Sequence, residues 1–173
     1  MKIRLVALTL TVLAVVACGG RVKTSQPAEA EVISQEATPV NTAVAVAEDR
    51  SVLVERSEQV DAISVMNDFT EPVTGNGQDL MIVYVTIENT GEAFGSIFGT
   101  QFRLVDSDGR EYDPIQNLEE AVTINMWLDK RDLEHSSARL FPGSTVQTAK
   151  IFRVAPDASE LKLLANEIMM DIN

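Results

Sequence analysis

Hydrophobic residues follow two different rules before and after about residue 50. Near the start, Leu5 to Ala17 is a single apolar run broken only by Thr9 and Thr11. From Ser51 onward, short stretches rich in β-branched residues are separated by turn formers, which is the pattern of half-buried strands. Ser51 to Val54 and Val60 to Met66 are the first two. Asn67 to Asp79 carries Pro72 and Gly75-Asn76-Gly77 and predicts a loop. Leu80 to Asn89 (LMIVYVTIEN) is the strongest strand: apolar on both faces at its start, then on one face through Val83, Val85 and Ile87, as expected of a central strand. Asn89-Thr90-Gly91 ends it.

Phe102 to Val105, the turn Ser107-Asp108-Gly109 and Arg110 to Tyr112 read as a hairpin. Phe141-Pro142-Gly143 makes another turn. Val146 to Val154 then alternates Val146, Thr148, Lys150 and Phe152 against Gln147, Ala149, Ile151 and Arg153. Leu161 to Leu164 and Ile168 to Ile172 complete the set. Gln116 to Leu140 is less regular, with Asp129 to Arg139 either a short helix or an excursion between strands. Some six to eight short strands at this spacing predict an all-β antiparallel sandwich over residues 51–173.

The leading apolar run spans about 20 Å as a helix, short of the roughly 30 Å membrane core. With Lys2 and Arg4 before it, residues 1–17 read as a signal peptide. The run ends Val15-Val16-Ala17-Cys18-Gly19-Gly20, which resembles a bacterial lipobox, although that pattern favours Leu where Val15 stands. The resemblance implies cleavage before Cys18 and acylation of its thiol, hence a membrane-anchored lipoprotein displayed outside the cytoplasm. Cys18 is the one cysteine, so no intramolecular disulfide forms and the folded part relies on core packing. Residues 18–50 lack aromatics and contain Pro27 and Pro39; they read as a flexible tether with a reach of roughly 30 Å. Thr42 to Ala47 (TAVAVA) is either part of that tether or a short strand.

The chain has 173 residues, enough for one domain of ordinary size, with 26 acidic and 14 basic residues and a formal charge of -12. Loss of the leader makes the mature chain more acidic still. Such a surface repels phosphate backbones, and without a basic stripe nucleic acid is not an expected partner.

Residues 80–164 resemble the bacterial family called domain of unknown function 4352, an immunoglobulin-like (telokin-like) β-sandwich common in exported lipoproteins. The resemblance rests on the strand Met81 to Gly91, on the strand-turn-strand Phe102 to Tyr112, and on Pro142-Gly143 followed by a strand, Val154-Ala155-Pro156 and Leu161-Lys162-Leu163. It implies an immunoglobulin-like fold and an envelope address, and supplies no catalytic residues. Leu118 to Leu140 departs from the shorter connections of the family.

Candidate chemistry is sparse. His135 is the single histidine, in the polar run Asp132 to Ser137, and reads as a solvated loop residue rather than part of a triad. With one His and one acylated Cys, no zinc site is expected. Asp106, Asp108, Glu111 and Asp113 surround a turn and offer calcium-like oxygen ligands, but the EF-hand spacing is absent and Asp and Gly favour turns on their own account. No phosphate-binding glycine loop is present, and no metal or cofactor is expected. Phe94, Phe98, Met126, Trp127 and Leu128 form a candidate contact patch, with burial in the core as the competing reading both for the Trp127 group and for Phe94, Ile97 and Phe98. The expected function is a non-catalytic binding or structural module with an unidentified envelope partner. The rivals are an accessory subunit docking through a sheet edge and a carboxylate-dependent envelope hydrolase.

Overall fold

The computed structural model describes residues 39–65, 70–135 and 138–172. The leader, Cys18 and most of the expected tether lie outside the described residues. In chain order the elements are β1 (Val44–Ala47), β2 (Arg50–Val60), β3 (Ala62–Ile63), β4 (Val73–Thr74), β5 (Asp79–Asn89), β6 (Gly95–Ser96), β7 (Phe102–Val105), β8 (Glu111–Tyr112), α1 (Leu118–Asp129), β9 (Arg139–Leu140), β10 (Thr145–Val154), β11 (Lys162–Ala165) and β12 (Ile168–Asp171). One sheet has the order β1-β2-β5-β10 and the other β12-β11-β7-β8, antiparallel throughout; β3-β4 is a small hairpin, and β6-β9 is a short two-stranded ladder between segments distant in sequence. This is the expected immunoglobulin-like antiparallel β-sandwich with one short helix in the 118–140 insertion.

The apolar run of β5 sets the layering. Val83, Val85 and Ile87 face the second sheet and pack with Val52, Val54 and Phe152 of their own sheet against Phe102, Leu104 and Leu163. Leu80, Ile82 and Tyr84 point the other way, with Ala149 and Ile151, onto Ile124, Trp127 and Leu128 of α1 and onto Ile63 and Val73 of the small hairpin. A strand covered on both sides needs apolar residues on both, which explains why LMIVYV does not alternate. Each fully buried Val, Leu or Ile contributes roughly 1.5–3 kcal/mol of transfer free energy.

A bulge keeps β2 in phase with these layers. Val54 opposes Val85, and Arg56, two residues on, opposes Tyr84. Regular alternation would turn Arg56 toward the dry core with Val54; the extra residue Glu55 moves it to the helix side. There its guanidinium lies 3.5 Å from the centre of the Tyr84 ring. Glu58 accepts a 2.6 Å hydrogen bond from Tyr84 Oη on the same side. Ser51 to Val54 and Val60 therefore belong to one strand rather than two, with Ala62–Ile63 a separate short strand.

Two further expectations are corrected. Thr42 to Ala47 is not all tether: Val44–Ala47 forms β1, with Val44 opposite Val52, Val46 in the core, and Val46 O accepting a 2.9 Å hydrogen bond from Asn166 Nδ2. Its own apolar area is small, but the edge of β2 gives its backbone partners. The helix is Leu118–Asp129, not Asp129 to Arg139. Asn117 caps it by accepting from Glu120 N at 2.9 Å, and Glu119 and Glu120 suit its first turn. Thr123, Ile124, Trp127 and Leu128 form its buried face, and Asp132 at φ 55 turns the chain away just after it. Glu120 also pairs with Arg153 of β10, clamping the helix to the sheet.

Candidate functional site

Asn89, the last residue of β5, organises one rim of the sandwich. Its Nδ2 donates to Ala93 O at 2.8 Å and Leu140 O at 3.1 Å, and its Oδ1 accepts from Gly91 N at 3.0 Å. Its backbone pairs with Ser144 O and Gly143 N. Both rim loops are thus tied to a single side chain. Beside it Arg50, only 5 % exposed, donates to Thr100 Oγ1 at 3.3 Å and lies 3.7 Å from Asp49. Its guanidinium fills the space where side chains of Gly95 and Gly99 would stand: a Cβ on those glycines would come within 2.7 and 2.4 Å of its nitrogens.

With the backbone pinned, the aromatic residues of this loop turn outward. Phe94 is 73 % and Phe98 68 % exposed, while Ile97 between them is buried. Phe94 meets Phe141 of the opposite rim loop edge-on, with ring centres 5.3 Å apart. Rigid exposed rings on constrained loops are the kind of surface that contacts use.

A cavity of about 770 Å³ adjoins this rim. It runs along β10, the last strand of its sheet, between α1 and the segment Ile97 to Arg103, with Asp113 to Gln116 at one side. Phe98, Phe102, Ile124 and Leu128 give it apolar walls, and Gln101, Gln116 and Asn125 add amides. Its volume lies within the roughly 300–1,000 Å³ of small-molecule sites. Lys150 enters it from the sandwich-facing side of β10, opposite Val83 and with Phe152 two residues on. Burial pushes the Lys150 ammonium down to about 8. Its Nζ lies 5.4 Å from the Phe102 ring centre, and among the described residues no carboxylate lies within ion-pair distance of it.

The expected contact patch is therefore divided. Phe94 and Phe98 are exposed as a contact surface requires, and Phe98 also lines the cavity. Leu128 is buried, touching the same cavity from the helix side. Trp127 is not part of a surface patch: it is 4 % exposed, 6.3 Å from the Tyr84 ring, with Arg131 stacked 4.1 Å above it. Met126 is half-buried at the edge of the same cluster. Helical spacing, which puts 124, 127 and 128 on one face, decides this. Lys150 was missed; the signal available was a lysine on the strand face that otherwise reads Val146, Thr148 and Phe152.

The remaining candidates are committed to structural partners. Asp106 accepts from Asp108 N, Arg110 N and Nε, and Tyr112 Oη at 2.6–3.0 Å. Burial pushes its carboxyl up, but these hydrogen bonds and the Arg110 charge outweigh that and hold it at about 2. Arg110 also reaches Asp157 at 2.9 Å and Asp108 at 3.4 Å; Glu111 and Asp113 flank Arg103 at 3.0 and 3.4 Å. Among the described residues, no three His, Cys, Asp or Glu side chains converge as a metal site. His135 Nε2 meets Asp129 at a part-exposed corner, while Ser136 and Ser137 lie outside the described residues.

Similar solved structures support the same architecture. A conserved hypothetical protein from Bacillus anthracis aligns with a TM-score of 0.60 at 15% identity, over 79% of this chain and 95% of its own. The yjhA protein from Bacillus subtilis gives 0.52 at 18%, covering 79% and 86%. An uncharacterized beta-sandwich protein from Clostridium difficile gives 0.52 at 9%, covering 80% and 96%. At such identities the likeness concerns the fold alone. No curated protein matches the chain. The family model described as "Domain of unknown function (DUF4352)" matches residues 40–172, from just before β1 to just after β12, and the chain belongs to that family.

Proposed function

We propose that this chain is an exported lipoprotein, anchored to a membrane through an acyl chain on Cys18, whose sandwich is a non-catalytic binding module facing away from the cytoplasm. The observation that carries the binding half is the concave site beside β10 with exposed Phe98 at its edge, next to a rim fixed by Asn89 and Arg50. The anchoring half rests on the leader and on Val16-Ala17-Cys18. The non-catalytic reading draws support from the direction of the carboxyl shifts: Asp106 and Glu120 are both held low, whereas a general acid needs to be raised. Docking through a sheet edge is less well supported. β1 is short and bulged, β8 has two residues, and Pro114 and Ile115 pair against β10, all of which hinder strand addition, which leaves the four residues of β12 as the remaining edge.

Growth of cells expressing the tagged full chain with alkyne-palmitate, followed by fractionation, tests the anchor. The wild-type protein is expected to be labelled and in the membrane fraction, and Cys18→Ala unlabelled. Wild-type protein without label would remove the anchor from this reading.

A further inference from the structure

Lys150 is in an unusual position for a cation. It sits on the inward side of a strand, between buried Thr148 and Phe152 and across from buried Val83. Arg103, which lines the same cavity, is already flanked by Glu111 and Asp113. Thr148 Oγ1 is used by Glu134 O. An ammonium partly shielded from water without a counter-charge is unfavourable, and a chain with 26 acidic residues has partners available that it does not place here. The arrangement leaves a positive charge, nearby amides and aromatic and aliphatic walls facing one open cleft.

We propose that the cavity beside β10 is the binding site for a small organic anion with an apolar body, the anionic head pairing with Lys150 Nζ and the body lying against Phe98, Phe102, Ile124 and Leu128. This rests on the binding-module reading above and adds the ligand class to it. The depressed ammonium fits a group waiting for an anion, since a bound anion favours the protonated form and raises it again. Arg103 and Asp113, the other titratable side chains lining the cavity, face one another at 3.4 Å.

Two fluorescent probes of similar body separate charge from cavity: 8-anilinonaphthalene-1-sulfonate, an anion, and N-phenyl-1-naphthylamine, which is neutral. The full chain is used as the cell processes it, extracted from the membrane in detergent at pH 7, and read against the same detergent without protein. The anionic probe is expected to bind and to be displaced by octanoate, but not by 1-octanol or acetate at the same concentration. Lys150→Met, which keeps the stem and removes the charge, should weaken the anionic probe roughly tenfold to a hundredfold and leave the neutral one unchanged. Should that variant not fold, the Lys150 Nζ resonance of the wild-type protein gives the same answer, because octanoate should raise its titration midpoint and 1-octanol should not. Equal binding of both probes, with Lys150→Met like wild type, would overturn the anion assignment while leaving a binding cavity. Binding of neither probe would overturn both. A midpoint that octanoate leaves unmoved would also reject the assignment.

Discussion

The β7–β8 hairpin and the open side of β10 each hold a cation, and they treat it in opposite ways. At the hairpin, Arg110 lies among Asp106, Asp108 and Asp157, and Asp106 is further held by Tyr112. Charge, hydrogen bonds and backbone there all serve one turn. At β10, Lys150 stands in a cavity without such company. Local pairing at the hairpin locks a connection whose sequence already encodes it. The unpaired charge at β10 costs stability, and the fold retains it where four separate segments leave room. One cation explains shape; the other calls for something outside the chain.

The contrast can be broken hardest at Phe152, the buried neighbour on the same face as Lys150. Phe152→Ala should destabilise the domain by about 3–5 kcal/mol in urea unfolding, because it opens a void between the sheets instead of extending an existing space. A loss under 1 kcal/mol would mean that the core and the cavity are not distinct environments.

Lys150→Met should act in the other direction. The folded-state value of Lys150 lies at about 8, below its ordinary 10.5. The folded protein therefore binds fewer protons than the unfolded chain between those values, and stability gains with rising pH in that window, the penalty being complete below pH 8. The difference is on the order of 3 kcal/mol, less whatever solvent reaches the ammonium. Lys150→Met should be more stable than wild type at pH 7, with the two converging toward pH 10. Tyr84 and Tyr112, both raised, pull the opposite way above pH 10 in either protein and cancel in the comparison. Parallel curves from pH 7 to 10 would refute a desolvated lysine.

The narrowest signal belongs to the hairpin. Asp106, held at about 2 against an ordinary 3.8, contributes stability that is present above pH 3.8 and lost as pH falls through 2. Acid unfolding of wild type should steepen in that window relative to Asp106→Asn. Identical acid limbs would show that the Arg110 cluster does not hold that carboxyl.

The same contrast marks what was legible in the chain. The hairpin could be read directly, since Asp108-Gly109 between apolar stretches specifies its own turn and Gly109 adopts φ 76. β5 and β10 could be read from alternation and turns at their ends. β2 reads as two strands in the sequence because the bulge at Glu55 shifts the phase of its alternation, which a period-two pattern does not cross. Composition points to Asp129 to Arg139 for the helix, because Leu, Glu, Lys and Arg cluster there, whereas the Asn117 cap and the 124/127/128 spacing mark where it starts and which side it buries. The cavity had no local signature. Segments near residues 100, 115, 125 and 150 meet only after the sheets are packed, so the significance of Lys150 is tertiary.

Arg50 and its two glycines carry a consequence for how this corner can diverge. The guanidinium is enclosed, so it has little room to retreat from a new methyl group on Gly95 or Gly99, and the glycines have no reason to stay bare if the arginine is replaced by something short. The three positions are therefore free to drift only in concert, with the long residue lost before either small one grows.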